Sequence, residues 1–177
     1  MMKPSAPQRV LALDLHPLSF GYAIFDRPDE LLDWGIRNFR HGVNAVKVPL
    51  GVKLALLLDL YAPDVIAIKE PRTTKLKRMV RKIVTLAQPR EIPARLISGD
   101  FVRTAFPGNN QTKYHIATVI AARYPELSPR LGTRRTLWQA EKYSMSIFDA
   151  AALGVAFFIH DTTPGNAGDR AFSSLPR

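Results

Sequence analysis

Three carboxylates stand where apolar segments of this chain begin or end. Asp14 lies in the run RVLALDLH, Glu70 ends the run VIAIKE, and Asp149 lies near the start of the apolar stretch IFDAAALGVAF. Carboxylate oxygens are the ligands that Mg²⁺ and Mn²⁺ prefer. Two such ions about 3.5–4 Å apart can activate water and stabilise the oxygen that leaves a phosphodiester. If the fold gathers these acids, they predict a site for metal-dependent phosphodiester hydrolysis.

Each acid also has a simpler interpretation when it is considered alone. An acid at a strand end is more often a solvated terminus or a cap than a metal ligand, and for Asp14 alone that interpretation is favoured. Asp149 strengthens the metal hypothesis because it interrupts an apolar stretch between Phe148 and Ala150. An unpaired carboxylate buried there would be costly.

The composition indicates one compact, basic domain. The chain has 177 residues, 46% of them hydrophobic, with 25 Lys and Arg against 15 Asp and Glu and a net charge of +10. Such a charge fits a polyanionic partner, most commonly nucleic acid. The absence of cysteine excludes disulfides and thiolate metal sites. No secretory signal and no apolar run of membrane-spanning length is found, which predicts a cytoplasmic protein with no membrane partner.

The elements that must position the acids follow from the spacing of apolar residues. Five strands are predicted, the first three as an antiparallel meander, at 10–15, 20–25, 31–39, 65–68 and 95–98. Five helices are predicted, at 43–61, 74–86, 99–105, 112–124 and 144–159. This order predicts an α/β domain with a mixed sheet flanked by helices. A loop is expected at 125–136, and the domain is expected over residues 10–160, with an N-terminal extension at 1–9 and a flexible tail at 161–177.

Strand alternation gives the acids a common location. It places Asp14 on the same face as Ala12, and Glu70 on the same face as Ile66 and Ile68. If the first and fourth strands are neighbours, Asp14 and Glu70 meet near one edge of the sheet. The small residues that follow Asp149 would let its helix approach that sheet closely.

A basic segment follows Glu70. It contains six basic residues and no acid: Arg72, Lys75, Lys77, Arg78, Arg81 and Lys82. Helical spacing places Lys75, Arg78 and Lys82 on one stripe. A solvated helix face would normally include glutamates, so contact with phosphates is the favoured interpretation. A second cluster, Arg130, Arg134 and Arg135, is interpreted as a solvated loop.

Four segments, in this order, resemble the RuvC-type Holliday-junction resolvases of the RNase H-like superfamily. LALDLHPLSFGYAIFD is similar to the first hairpin of that family, and VIAIKEP to its strand ending in the catalytic Glu. RLISGDFVRTAFPGNNQTKYHIATVIAARYPEL resembles its strand, short helix, loop and lysine-bearing helix, and FDAAALGVAF its closing helix. The resemblance implies an RNase H-like mixed five-stranded sheet. It also implies metal-dependent cleavage of four-way DNA junctions by a homodimer, in DNA recombination and repair.

The resemblance also implies roles for particular residues. By position, Asp14, Glu70 and Asp149 would hold Mg²⁺ or Mn²⁺, as a pair of ions, and Lys113 would approach the scissile region or a backbone phosphate. The family has a fourth ligand, an acid or a histidine, one helical turn before the last Asp, and Ser146 replaces it here. One metal site would then be weak or completed by water. His16 stands where the family usually has glycine or a small polar residue. It could crowd or assist the site, but the simpler interpretation, a turn residue, is favoured.

Three functional hypotheses remain open at this point. The leading one is an endonuclease that acts on branched DNA through two metal ions. The second is a DNA-binding relative that has lost catalytic power, for which Ser146 is the best support. The third, a phosphotransferase on the related actin-like fold, is disfavoured because the chain is too short for a second nucleotide-binding half, so no nucleotide cofactor is expected.

Overall fold

The central feature of the fold is a mixed sheet. The computed structural model describes residues 8–39, 48–108, 112–132 and 144–162, with residues 161 and 162 described by their backbone alone. The strands are β1 (Val10–His16), β2 (Ser19–Arg27), β3 (Glu30–Asn38), β4 (Val65–Lys69) and β5 (Ala94–Ile97). Their order in the sheet is β3-β2-β1-β4-β5. β1 is antiparallel to β2 and parallel to β4, and β4 is parallel to β5. The predicted mixed five-stranded sheet is confirmed.

Helices cover both faces of this sheet. They are α1 (Leu50–Tyr61), α2 (Thr74–Ala87), α3 (Gly99–Thr104), α4 (Lys113–Arg123) and α5 (Met145–Thr162). Short 3-10 helices follow α2 at Gln88–Arg90 and α4 at Pro125–Arg130, the latter within a segment predicted as loop. In the part of the chain that the structure describes, no helix is both long and apolar enough to cross a membrane.

The predicted start of the first helix was wrong. Val48 and Pro49 are not helical, and α1 begins at Leu50 behind an extended Pro49 (φ −62°, ψ 152°). The ring of a proline disfavours helical geometry in the residue before it, so the helix cannot continue back through Val48. Residues 43–47 of that predicted helix lie outside the described residues, as do residues 1–7 of the predicted extension and residues 163–177 of the predicted tail.

Alternation along the strands separates two cores. Odd and even residues of a strand point to opposite faces of a sheet. Val10 and Ala12 of β1 therefore pack with buried residues of α3, α4 and α5. Leu11 and Leu13 point the other way and pack with buried residues of α1 and α2. β4 is buried on both faces, as its continuous apolar run predicts.

α5 lies close to the sheet because two glycines make room for it. A Cβ atom added at Gly21 in β2 would overlap the backbone carbonyl and the hydroxyl of Ser146. A Cβ atom added at Gly154 in α5 would overlap the ring of Phe25 in β2. These two contacts set the distance of α5 from the sheet, and through it the position of Asp149.

Candidate active site

Asp14 lies in the central strand and is almost completely buried, with 4% of its surface exposed. One of its carboxylate oxygens, Oδ2, accepts a hydrogen bond of 3.0 Å from the hydroxyl of Ser146. The same oxygen lies 2.7 Å from Nε2 of His16. The hydrogen bond to Asp14 raises the pKa of His16, against the opposing effect of burial. Two side chains, one from the end of β1 and one from the first turn of α5, therefore hold this carboxylate.

Asp149 faces Asp14 from the first turns of α5, with 14% of its side chain exposed. Its Oδ2 lies 3.0 Å from Nζ of Lys113, at the start of α4. Burial, and then the negative charge of Asp14, raise the pKa of Asp149 despite the opposing charges of Lys113 and Lys69. Two carboxylates that repel each other in a partly dry site are stabilised by an added cation.

Glu70 lies just beyond the end of β4. Its backbone N–H donates a hydrogen bond of 2.9 Å to the carbonyl of Ile97, which ties it to β5 at the carboxyl end of the parallel strands. Its side chain is exposed. β1 and β4 are neighbours, as the meeting of Asp14 and Glu70 requires. The alternation argument for this meeting was wrong, because Ala12 and Ile66 face opposite cores. Glu70 lines the same cavity as Asp14 from a position just beyond the end of β4.

A cavity of about 360 Å³ brings the three acids together. Asp14, Glu70 and Asp149 all line it, together with four basic residues: Lys69, Arg72, Arg103 and Lys113. Within residues 8–39, 48–108, 112–132 and 144–160, no three His, Asp or Glu side chains are already close enough together to hold a metal ion. Oxygen ligands for a hard cation thus share one cavity, but in this structure Asp149 is paired with Lys113, and Asp14 with His16 and Ser146.

Sequence reasoning missed some of the charged residues at this cavity. Lys69 precedes Glu70, so alternation places its side chain on the face of Ala67 and Asp14. Its Cε lies 3.5 Å from the position of a Cβ added at Gly99. That alternation could have revealed Lys69 before the structure was known. Arg103 carries no comparable signal, because one arginine in a short helix is normally solvated.

The basic stripe of α2 lies beside the cavity. Thr73 caps the helix by accepting a hydrogen bond from the backbone N–H of Leu76, and Leu76 itself lines the cavity. The apolar side of α2 is buried through Met79, Val80 and Ile83. The basic residues are all exposed: Arg72, Lys75, Lys77, Arg78, Arg81 and Lys82. Arg130 is exposed at the end of its 3-10 helix, whereas positions 134 and 135 lie outside the described residues.

Comparison with known proteins finds similar structures but no similar sequence. No protein-family model and no curated protein sequence matches the chain. Thermus thermophilus RuvC in complex with a Holliday junction substrate superposes with a TM-score of 0.58 at 16% sequence identity, over 88% of this chain and 97% of RuvC. The fowlpox virus resolvase in complex with its substrate Holliday junction DNA superposes with a TM-score of 0.54 at 14% identity, over 88% and 99% of the two chains. The chain has the fold of the RuvC-type resolvases.

The RuvC-type fold extends over nearly the full length of both neighbours, which confirms the resemblance inferred from four short segments. At this level of identity the likeness establishes the fold alone. The roles of Asp14, Glu70, Asp149 and Lys113 therefore depend on the chemistry of the cavity itself.

Proposed function

We propose that this chain is a divalent-metal-dependent endonuclease that cuts branched DNA such as Holliday junctions. The observation that carries the proposal is the cavity in which Asp14, Glu70 and Asp149 converge beside Lys113. It lies at the carboxyl end of β4 and β5, where catalytic groups of α/β sheets commonly gather. The T. thermophilus and fowlpox virus proteins of the same fold are resolvases bound to junction DNA, which supports this choice of substrate.

The donor set of the cavity fits a hard divalent cation. Asp14 and Asp149 are carboxylates in a largely dry environment, and after burial itself the negative charge of Asp14 helps raise the pKa of Asp149. Glu70 is exposed on the same cavity and can supply a third oxygen ligand. Mg²⁺ or Mn²⁺ bound here, as a pair of ions, would supply an activated water and positive charge at the phosphodiester.

The side chains of this protein have separate tasks in the proposed reaction. Ser146 fixes the orientation of Asp14 by donating a hydrogen bond to its carboxylate, so that little reorganisation is needed during catalysis. Lys113 holds a positive charge at the mouth of the site, where half of its side chain is exposed and can approach a backbone phosphate. Electrostatic stabilisation therefore carries the chemistry, and no protein nucleophile is required.

The basic stripe of α2 is proposed to hold the DNA backbone. Lys75, Arg78 and Lys82 are exposed on a helix that begins four residues after Glu70, and Arg72 joins the stripe to the cavity. Arg81 extends the positive surface along α2. Contacts of this kind position a duplex without reading its sequence. Two copies of the chain, as a homodimer, would make the two symmetric cuts that resolution of a junction requires.

A second candidate function is a DNA-binding protein with weakened or lost cleavage. Ser146 and the ion pair between Asp149 and Lys113 favour it, because one potential ligand is missing and another is already neutralised. This protein would bind junctions without cutting them.

Cleavage of a labelled four-way junction, beside a linear duplex of the same sequence, separates the two candidates. In Mg²⁺ or Mn²⁺, Asp14→Asn is expected to lower the cleavage rate at least about 100-fold, because a carboxylate that organises the charged centre is lost. The matched control is Asp29→Asn, in the turn at the opposite end of the sheet, which should cut at the normal rate. Tight junction binding without cleavage by the unmodified chain would establish the second candidate, and cleavage that survives Asp14→Asn would refute the proposed site.

A further inference from the structure

We propose that His16 is a metal ligand that takes the place of the fourth ligand missing at Ser146. This inference rests on the proposed metal-dependent function and goes beyond it, because it adds a nitrogen ligand from the first hairpin to a site otherwise built from oxygen. The site would then have three carboxylates, from Asp14, Glu70 and Asp149, and one imidazole.

The first observation is that His16 and Ser146 meet at the same atom. Nε2 of His16 lies 2.7 Å from Oδ2 of Asp14, and the hydroxyl of Ser146 lies 3.0 Å from that oxygen. A side chain at position 146 and a side chain at position 16 therefore reach the same corner of the cavity from two different elements. A ligand that is absent from α5 can be supplied there by the end of β1.

The second observation is that the backbone of His16 is held in a β-hairpin. His16 is the last residue of β1 and pairs with Ser19 across the short turn formed by Pro17 and Leu18. Being two residues after Asp14, it projects from the same face of the strand. Its position is therefore fixed by the hairpin rather than by a mobile loop.

The third observation is accessibility. The side chain of His16 is 44% exposed, whereas that of Asp14 is 6% exposed, and both line the cavity. An ion that enters from solvent meets the imidazole beside the buried carboxylate. Imidazole is a softer ligand than carboxylate, so its presence shifts preference from Mg²⁺ toward Mn²⁺ and later transition metals.

The competing explanation is that His16 only orients Asp14 by donating a hydrogen bond. Two substitutions distinguish the roles. His16→Gln keeps an N–H donor but is a poor ligand, and His16→Asp supplies an oxygen ligand but cannot donate. A ligand role predicts that Mn²⁺ affinity falls at least about 10-fold in His16→Gln and is retained in His16→Asp. The reverse pattern would establish the orienting role and overturn the inference.

The direct test is electron spin-echo spectroscopy of the full chain loaded with Mn²⁺. We expect ¹⁴N modulation from a coordinated imidazole in the unmodified chain and its loss in His16→Ala. His115→Ala is the matched control and should retain the signal, since His115 lies on α4 and its ring contacts the carbonyl of Pro107 instead. Thermal melting monitored by circular dichroism verifies that each variant is folded.

The outcomes separate this inference from the proposed function. Mn²⁺ bound without ¹⁴N modulation, or modulation that persists in His16→Ala, overturns the role of His16 and leaves the metal-dependent nuclease standing. Absence of Mn²⁺ binding to the unmodified chain overturns both.

Discussion

The two faces of the sheet are packed with different kinds of side chain. On the face of α5, that helix buries small residues such as Ala150 and Ala151 beside larger ones, and its Gly154 lies directly against the ring of Phe25 in β2. On the opposite face, α1 and α2 pack through large aliphatic side chains such as Leu54 and Ile83. Small residues bring a helix backbone close to the sheet, whereas large ones hold it at a distance and bury more apolar surface.

The two faces of the sheet also have different roles, one in the geometry of the cavity and the other in stability. Asp149 reaches Asp14 only because α5 lies close enough for Ser146 to contact Gly21. α1 and α2 contribute no acid to the cavity among the residues described, and their main role is to bury the back of β1 and β4. One face therefore sets the geometry of the site, and the other contributes stability.

The largest expected effect comes from damage to the face of α1 and α2. Leu54 is fully buried, so Leu54→Ala should lower the free energy of unfolding by about 2–5 kcal/mol through lost apolar burial and a residual cavity. Chemical denaturation measures this loss. Mn²⁺ affinity of the folded variant, measured by calorimetry, should stay unchanged. A parallel loss of metal affinity would show that the two faces are coupled.

A substitution on the face of α5 should lower the free energy of unfolding less than Leu54→Ala does, but should reduce metal affinity and cleavage more. In Gly154→Ala the added methyl group collides with the ring of Phe25, and such overpacking costs about 1–3 kcal/mol. Because the ring of Phe25 is fully buried, we expect α5 to move away from β2, so that Mn²⁺ affinity and junction cleavage both fall. Denaturation and calorimetry on the same preparation provide the test. Unchanged metal affinity in this variant would contradict the role assigned to the close approach of α5.

The basic stripe lies on the solvent-exposed side of α2, so substitutions in it test DNA binding and leave both cores intact. Replacing Lys75, Arg78 and Lys82 together with Gln should reduce the slope of log K against log salt for duplex DNA by roughly 2 to 3, about 0.9 for each lost phosphate contact. Arg130→Gln, in the second basic cluster, serves as the control and should leave the slope unaltered. An unchanged slope in the triple variant would indicate that α2 presents only a solvated face.

The smallest expected effect is a gain in stability. Gly51 lies in the first turn of α1, and a Cβ added there meets no atom within 4 Å. Gly51→Ala should therefore raise the free energy of unfolding by about 0.4–1 kcal/mol, because the unfolded chain loses conformational freedom. Denaturation measures the gain, and a loss of stability would mean that α1 is packed on this side as well. The opposite signs expected for Gly51→Ala and Gly154→Ala would sharpen the contrast between the two faces.

Much of the fold was predictable because its strands have simple patterns. The continuous apolar run that forms β4 and the one-sided basic helix that forms α2 were placed within one residue of their observed bounds. The start of α1 was not, since apolar residues before Pro49 continue a helix-like spacing that the proline interrupts. The 3-10 helix at Pro125–Arg130 was missed because two prolines and few apolar residues are typical of a loop.

The sequence pointed to the three acids that line the cavity, but not to the side chains that contact those acids. The assumption that β1 and β4 are neighbours and the small residues around Asp149 predicted that the three acids meet, whereas strand alternation alone places Glu70 on the face opposite Asp14. The contact between His16 and Asp14 depends on the rotamers of both side chains, and the pair between Lys113 and Asp149 depends on how α4 packs against α5. Such distances arise from tertiary packing, which local spacing does not determine.

The hydrogen bond between Ser146 and Asp14 joins residues 132 positions apart, between the first strand and the last described helix. Chains are synthesised from the N-terminus, and contacts between distant residues form late because long loops must close first. Asp14 and Glu70 therefore leave the ribosome well before Asp149. A basic chain of this kind can attract nucleic acid during synthesis, but the three acids share one cavity only after α5 docks, so that the cavity is complete only in the finished fold.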